Sequence, residues 1–303
     1  MASDGVRVQT CVTSPPYFGL RDYGHDGQIG LEESPEQYIN AMVEVFRCVR
    51  DVLADDGTLW LNIGDSYATA GGSGRQGSTG QRAGRRHTAE IASSKNAGDG
   101  IKPKDLIGIP WMLAFALRAD GWYLRSDIIW SKGNPMPESV TDRPTKSHEY
   151  LFLLAKSERY FYDHEAVKEP AVSDHPSGNG FKRDARLSYK DGNGARGNDK
   201  QWTDIGGKRN RRTVWNINTK PYKGAHFAVF PPALVEPCIL AGSRPGDAVL
   251  DPFFGSGTTG EVAHANSRNF VGLEINPTYA PLQRNRIGNH LALSDYELGL
   301  DLA

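Results

Sequence analysis

DPFFGSGTTG, residues 251–260, follows the apolar triplet Ala248–Leu250 and leads into a run that reads as a helix from about Thr258. Gly255, Ser256, Gly257, Thr258, Thr259 and Gly260 form a G-x-G-x-x-G pattern at this strand-to-helix turn. Glycines there let the backbone approach a ligand closely. The next apolar run, Asn269–Leu273, ends at Glu274, where a carboxylate can hold two ribose hydroxyls. The pattern alone is weak evidence. With a strand before it, a helix after it and an acid at the next strand end, it points to a nucleoside-containing cofactor. A dinucleotide site usually opens its domain and is followed by a second mononucleotide half, whereas this unit stands near the C-terminus. Asp251, at the strand end, suits a cationic amino group better than a pyrophosphate. Both features favour S-adenosylmethionine, whose methionine end carries an ammonium, over a nicotinamide cofactor.

Outward from that unit, strands alternate with helices. Val6–Val12 reads as a strand stopped by Ser14-Pro15-Pro16-Tyr17, because neither proline has an N–H to donate. Ser34-Pro35-Glu36-Gln37 reads as an N-cap, a first-turn proline and a capping-box partner. Apolar residues then follow at helical spacing to Leu53, and Asp55-Asp56-Gly57 is expected to end the helix. Thr58–Ile63, Leu124–Trp130 and Glu149–Ala155 read as strands, Asp105–Asp120 and Pro232–Ala241 as helices, and Asn276-Pro277 opens a last helix. The expected class is α/β with a mainly parallel sheet.

The 303 residues have ample length for a core. No apolar run approaches membrane-spanning length and no basic-then-apolar leader is present, so a cytoplasmic protein is expected. Cys11, Cys48 and Cys238 lie far apart with no paired spacing, which argues against a disulfide framework or a zinc site. The net charge of −1 hides an asymmetry. Residues 66–104, rich in Gly and Ser, carry seven Lys/Arg against two acids, and residues 173–213 carry ten against five. Two basic segments on an acidic body suit a polyanionic partner. The organisation expected is one catalytic domain over 1–303, with a basic insertion at 66–104 and a variable basic segment at 165–222.

TSPPY and DPFFGSGTTG together resemble the catalytic and cofactor motifs of the amino-group DNA methyltransferases, in the order of that family's β group. GTLWLNIGDSY, GWYLRSDIIWSKGNPMPES, RPTKSHEYLFLL, GAHFAVFPPALVEPCILAG and FVGLEINPTY also resemble segments of phage and bacterial site-specific members. The resemblance covers most of the chain except residues 70–100 and about 173–210. It implies a circularly permuted Rossmann-like S-adenosylmethionine-dependent fold, with one antiparallel hairpin strand and the catalytic half first. It implies that the basic segments house target recognition on duplex DNA. A homodimer and a cognate restriction endonuclease are partners that such a family admits.

The resemblance assigns catalysis to Ser14, Pro15, Pro16 and Tyr17. An exocyclic amine is a poor nucleophile because its lone pair is conjugated into the base. Ser14 Oγ and the Pro15 carbonyl can accept its hydrogens as positive charge develops, and Tyr17 can stack on a flipped base. The cofactor set is Asp251, Pro252, Phe253, Gly255, Ser256, Gly257, Thr258 and Glu274, with His226 and Phe227 implied at the methionine end. A first-position Ser in the family usually accompanies cytosine N4, with adenine N6 the alternative. Lys132, Asn134, Arg143, His148 and Glu149 are candidates for contacts or support near the base, Trp60 and Trp130 for packing, and Cys238 for the core rather than a nucleophile. Family members also carry a Gly-Asp turn ahead of the catalytic strand. With MASDGVRVQTCVTSPPY as the start, another residue is expected to take that role, or the start to be truncated. The rival classes are a nicotinamide-dependent oxidoreductase and a catalytically weak DNA-binding protein.

Overall fold

The structure, a computed structural model, describes residues 5–68, 100–170, 208–219 and 230–288. Most of both basic segments, and His226 and Phe227, lie outside the described residues. The chain divides into two compact units, Met1–Asp163 with Arg212–Ala303, and His164–Arg211. In the second, short strands Glu169–Pro170 (β5) and Lys208–Arg209 (β6) pair antiparallel and are tied by an Arg209–Glu169 ion pair of 2.9 Å.

The first unit opens with β1 (Val8–Thr13), which ends just ahead of the two prolines. Helix α1 (Pro35–Val52) starts as the sequence predicts: Ser34 Oγ accepts from the Gln37 N–H at 3.3 Å. The Gln37 side chain reaches back to the Glu33 N–H, one residue before the N-cap. Tyr38, Met42 and Phe46 recur every four residues and are wholly buried, each contributing about 1.5–3 kcal/mol relative to exposure.

The Asp55-Asp56-Gly57 triplet does not end the helix. Helix α1 stops at Val52, and the triplet lies inside β2 (Leu53–Ile63). The β1 register jumps there from Val8↔Leu53 to Thr10↔Thr58, so the triplet is a bulge that carries the strand past its partner. Helix α2 spans Ile109–Ala119, shorter than Asp105–Asp120. Residues 105–108 are instead drawn into a bridge between Tyr67 and Leu106. The helix has no cap of its own, with Gly108 in the left-handed region at φ 89°. Asp65, just past β2, caps it from outside by accepting from the N–H groups of Gly108 and Ile109 at 3.0 and 3.1 Å.

The remaining strands are β3 (Tyr123–Ser131), β4 (His148–Ala155), β7 (Val214–Asn216), β8 (Ala248–Asp251) and β9 (Asn269–Gly272). The helices are α3 (Pro232–Gly242), α4 (Thr258–Ala265) and α5 (Ala280–Gly288). Seven strands form one sheet in the order β7-β3-β4-β2-β1-β8-β9. Strand β4 runs antiparallel between β3 and β2, and the other neighbouring pairs are parallel. The mixed sheet with one reversed strand has the α/β architecture expected. Strand β7 comes from the weakly patterned 165–222 segment and was not legible there, since three residues are too few to show a period.

Alternation along β2 decides which face is which. Leu59, Leu61 and Ile63 join the core with α1 and α2, whereas Trp60 and Asn62 take the opposite set of positions. Trp60 and Trp130 are buried, and Cys238 is fully buried in α3, as expected of packing residues.

Candidate active site

Strands β1 and β8 are parallel neighbours, Thr10 beside Val249 and Cys11 beside Leu250. Their C-terminal ends therefore deliver Ser14-Pro15-Pro16-Tyr17 and the 252–257 loop to the same edge of the sheet. Residues 238 positions apart in sequence meet directly: Thr13 Oγ1 donates to Asp251 Oδ1 at 2.6 Å.

Asp251 is not on the surface of this junction. Its side chain is fully buried and accepts from Thr13, from Thr259 Oγ1 at 2.7 Å and from the Phe253 N–H at 3.0 Å. Its carboxyl is pushed up to about 6, because loss of hydration outweighs the three donors. Asp251 is thus a clamp joining the catalytic strand, the glycine loop and α4, rather than a partner for an ammonium. Sequence showed an acid at a strand end; only the neighbouring strand reveals that Thr13 claims it.

A cavity of about 270 Å³ opens above this clamp. Ser14 and Pro16 line it from the catalytic side, and Pro252, Phe253, Gly255, Ser256, Thr258 and Glu274 from the loop side. Glu274 accepts from the Gly255 N–H at 2.7 Å and from the Asn276 N–H at 2.8 Å. A carboxylate offers about four lone-pair sites, so two remain for ribose hydroxyls. The segment after the catalytic motif supplies Tyr23, Gln28 and Ile29 to the wall, and the chain beyond β9 supplies Ile275, Tyr279 and Leu282. Ile275 and Tyr279 fall in the resembling segment FVGLEINPTY, but nothing in the sequence marked any of these residues as a cavity wall.

The glycines divide their work. Gly255 and Gly257 adopt φ of 51° and 85°, a left-handed backbone that favours glycine. Gly260 and Gly272 instead make room for the Phe254 ring, which would lie 2.6 and 2.3 Å from a Cβ at those positions. Phe254 in turn stacks on Phe270. Gly272→Ala is expected to destabilise the fold by about 1–3 kcal/mol through overpacking and to weaken cofactor binding by displacing the residue next to Gly255. Urea unfolding and a cofactor titration measure the two effects. From α5, Arg286 donates to Ser256 Oγ at 2.8 Å and to Thr258 Oγ1, while Gln283 donates to the Gly255 carbonyl at 2.7 Å. The loop is therefore pinned from outside as well as from beneath.

On the catalytic side, Tyr38 donates to the Pro16 carbonyl at 2.8 Å, which fixes the turn. Tyr17 lies flat enough on Gly64 that a Cβ there would sit 2.6 Å from its ring. Its hydroxyl donates to Glu149 Oε2 at 2.6 Å. Burial and the adjacent Glu149 charge push the phenol well up, so it stays protonated. Asn62 Oδ1 accepts from Ser14 Oγ at 3.2 Å, and Lys132 pairs with Glu149. Glu149 therefore shares one hydrogen-bonded cluster with Tyr17, Asn62 and Ser14, while Asn134 holds Thr219 and Arg143 pairs with Glu138 over the Tyr67 ring. Asn62 was not singled out: it stands in the family-like segment GTLWLNIGDSY, but its role shows only once Ser14 and Glu149 are beside it.

Among the described residues, no cluster of metal-ligating groups occurs and no helix is long and apolar enough to cross a membrane. Residues 8–285 match the family described as DNA methylase. The chain is 52% identical to the Type II methyltransferase M.Cfr9I of Citrobacter freundii over 92% of its length and 81% of that protein's. It is 53% identical to M.SmaI of Serratia marcescens, covering 91% and 82%. In fold it resembles the PvuII DNA methyltransferase (cytosine-N4-specific), with a TM-score of 0.60 at 17% identity over 96% and 83% of the two chains. It also resembles TTHA0409 of Thermus thermophilus, solved in complex with S-adenosyl-L-methionine, at a TM-score of 0.55 and 22% identity over 94% and 86%.

Proposed function

Since the chain belongs to the DNA methylase family, we propose that it moves a methyl group from S-adenosylmethionine to N4 of a cytosine flipped out of a specific duplex site. The observation that carries this reading is the shared cavity: Ser14 and Pro16 line the same space as Pro252–Ser256 and Glu274. Acceptor geometry and cofactor geometry are thereby set by one rigid junction. S-adenosylmethionine supplies a methyl group activated on a sulfonium.

Everything else falls to alignment and electrostatics. Tyr38 holds the Pro16 carbonyl and so fixes the turn, and the carbonyl assigned to the amine is that of Pro15, as the family resemblance implies. Together with Ser14 Oγ it accepts the two amine hydrogens. That withdraws the nitrogen lone pair from ring conjugation and stabilises the positive charge that grows as the new C–N bond forms. The methylated nitrogen then sheds a proton to water. Tyr17, braced on Gly64 and by Glu149, is a stacking surface for the base. The donor set at the cavity fits the cofactor: a carboxylate with lone pairs to spare for the ribose, beside apolar and aromatic walls for the adenine. The basic segments 66–104 and 165–222 serve the DNA backbone and the target sequence. A homodimer and a cognate endonuclease are the partners that the family resemblance admits. Ser14 favours cytosine N4, and adenine N6 is the second reading within the same chemistry.

The test is to incubate the chain with mixed-sequence duplex DNA and S-adenosylmethionine, digest to nucleosides and analyse by mass spectrometry. N4-methylcytosine is expected. N6-methyladenine would overturn the base, and the absence of any methylated nucleoside would overturn the enzyme reading.

A further inference from the structure

The polar groups beneath Ser14 and Tyr17 all point their hydrogens one way. Tyr17 O–H goes to Glu149 Oε2 at 2.6 Å, with Asn62 Oδ1 at 3.3 Å as a weaker second acceptor. Ser14 O–H goes to Asn62 Oδ1 at 3.2 Å. Asn62 cannot turn its amide round, because Nδ2 donates to the Tyr150 carbonyl at 3.1 Å and to Glu149 Oε2 at 3.3 Å. Glu149 is held on its other oxygen by Lys132, whose ammonium also lies 4.3 Å over the Trp130 ring. Three strands contribute: Asn62 from β2, Lys132 just beyond β3, and Glu149 on β4. Asn62 is 1% exposed, and the Lys132 and Glu149 side chains are 18% and 14% exposed, so water competes little for these bonds.

We infer that Glu149, anchored by Lys132, is a positioning residue that turns the protons of Tyr17 and, through Asn62, of Ser14 away from the cavity, so that Ser14 meets the target amine as an acceptor. A serine hydroxyl is both donor and acceptor, and its hydrogen rotates to suit its surroundings. If that hydrogen faced the amine, it would compete for the nitrogen lone pair that must attack the methyl group. Asn62 is a neutral amide and does not act as a base here; it transmits orientation. The terminal acceptor has to be a carboxylate, because only a group without hydrogens of its own accepts from Lys132, Tyr17 and Asn62 together. The inference rests on Ser14 being the amine acceptor.

The test uses near-isosteric variants of the full chain. In Glu149→Gln the new amide turns its oxygen to Lys132 and its NH2 to Tyr17 and Asn62, reversing the hydrogen-bond direction. The single-turnover methylation rate at saturating DNA and cofactor is expected to fall at least about 30-fold, while the S-adenosylmethionine Kd stays within about twofold. Adding Lys132→Met frees the glutamine oxygen to face Tyr17 and Asn62. The double variant Glu149→Gln/Lys132→Met is expected to regain about tenfold over Glu149→Gln. A role confined to holding β3 and β4 together would not produce that recovery. A Glu149→Gln rate within threefold of the parent, or a double variant no faster than Glu149→Gln, overturns the inference. Ser14→Ala run alongside separates the two levels: if it keeps its turnover, the acceptor reading fails. If it loses turnover while Glu149→Gln does not, only the positioning role fails.

Discussion

Ser14→Ala is expected to lower methyl transfer by about 100-fold or more while the S-adenosylmethionine Kd changes little. The side chain removed is one of two acceptors for the amine, and the turn that carries it is held by other means. Two fixed proline φ angles, the Tyr38 bond to the Pro16 carbonyl and the buried Phe18 all survive the substitution. The cofactor loop is pinned independently by Asp251, Arg286 and Gln283. Single-turnover kinetics with a parallel cofactor titration give both quantities. Turnover within about threefold of the parent would remove Ser14 from the site, whichever base is methylated.

Asp251→Ala is expected to do the reverse, weakening cofactor binding and the fold together. It strands Thr13 Oγ1, Thr259 Oγ1 and the Phe253 N–H in a buried setting, at a cost of about 3–5 kcal/mol. Asp251→Asn separates the charge from the contacts. The folded carboxyl titrates near 6, above its usual 3.8. An acid whose pKa is raised on folding binds protons more tightly in the folded state, so stability falls as pH rises through that window. The parent is therefore expected to lose about 3 kcal/mol relative to Asp251→Asn between pH 3.5 and pH 7. Urea unfolding of both proteins at the two pH values measures it. A constant difference would show that Asp251 carries no such charge penalty.

Much of the fold was legible from short-range rules. The prolines after β1, the Ser34 cap and the glycine turn at 255–260 act within a few residues, and each element begins or ends where local chemistry says it should. The misreadings fall where a distant partner intervenes. Asp55-Asp56-Gly57 has the composition of a helix stop, yet β1 draws it into a bulge. Asp105–Gly108 reads as the first turn of a helix, yet Asp65 supplies the cap only from Gly108 onward. The site divides in the same way. Gly255, Gly257, Ser14 and Tyr17 announce themselves by motif, whereas Asn62 and Gly64 sit in a resembling segment that gives them no role, and Tyr23 in none.

The sequence, with the family resemblance its motifs carry, determined the class of chemistry: two motifs in β-group order, an acid after the next strand, and a first-position Ser. Those depend on residue type and spacing along one strand or turn, which a linear chain displays openly. Tertiary structure decided which atoms those residues spend on each other. It showed Asp251 committed to Thr13 and Thr259 in the interior, Gly272 making space for Phe254, and Glu149 tied to Tyr17 from 132 positions away. Hydrogen bonds and close packing act over about 3–4 Å of space with no regard to sequence distance. Such pairings exist only once the sheet has set β1 beside β8 and β4 beside β2.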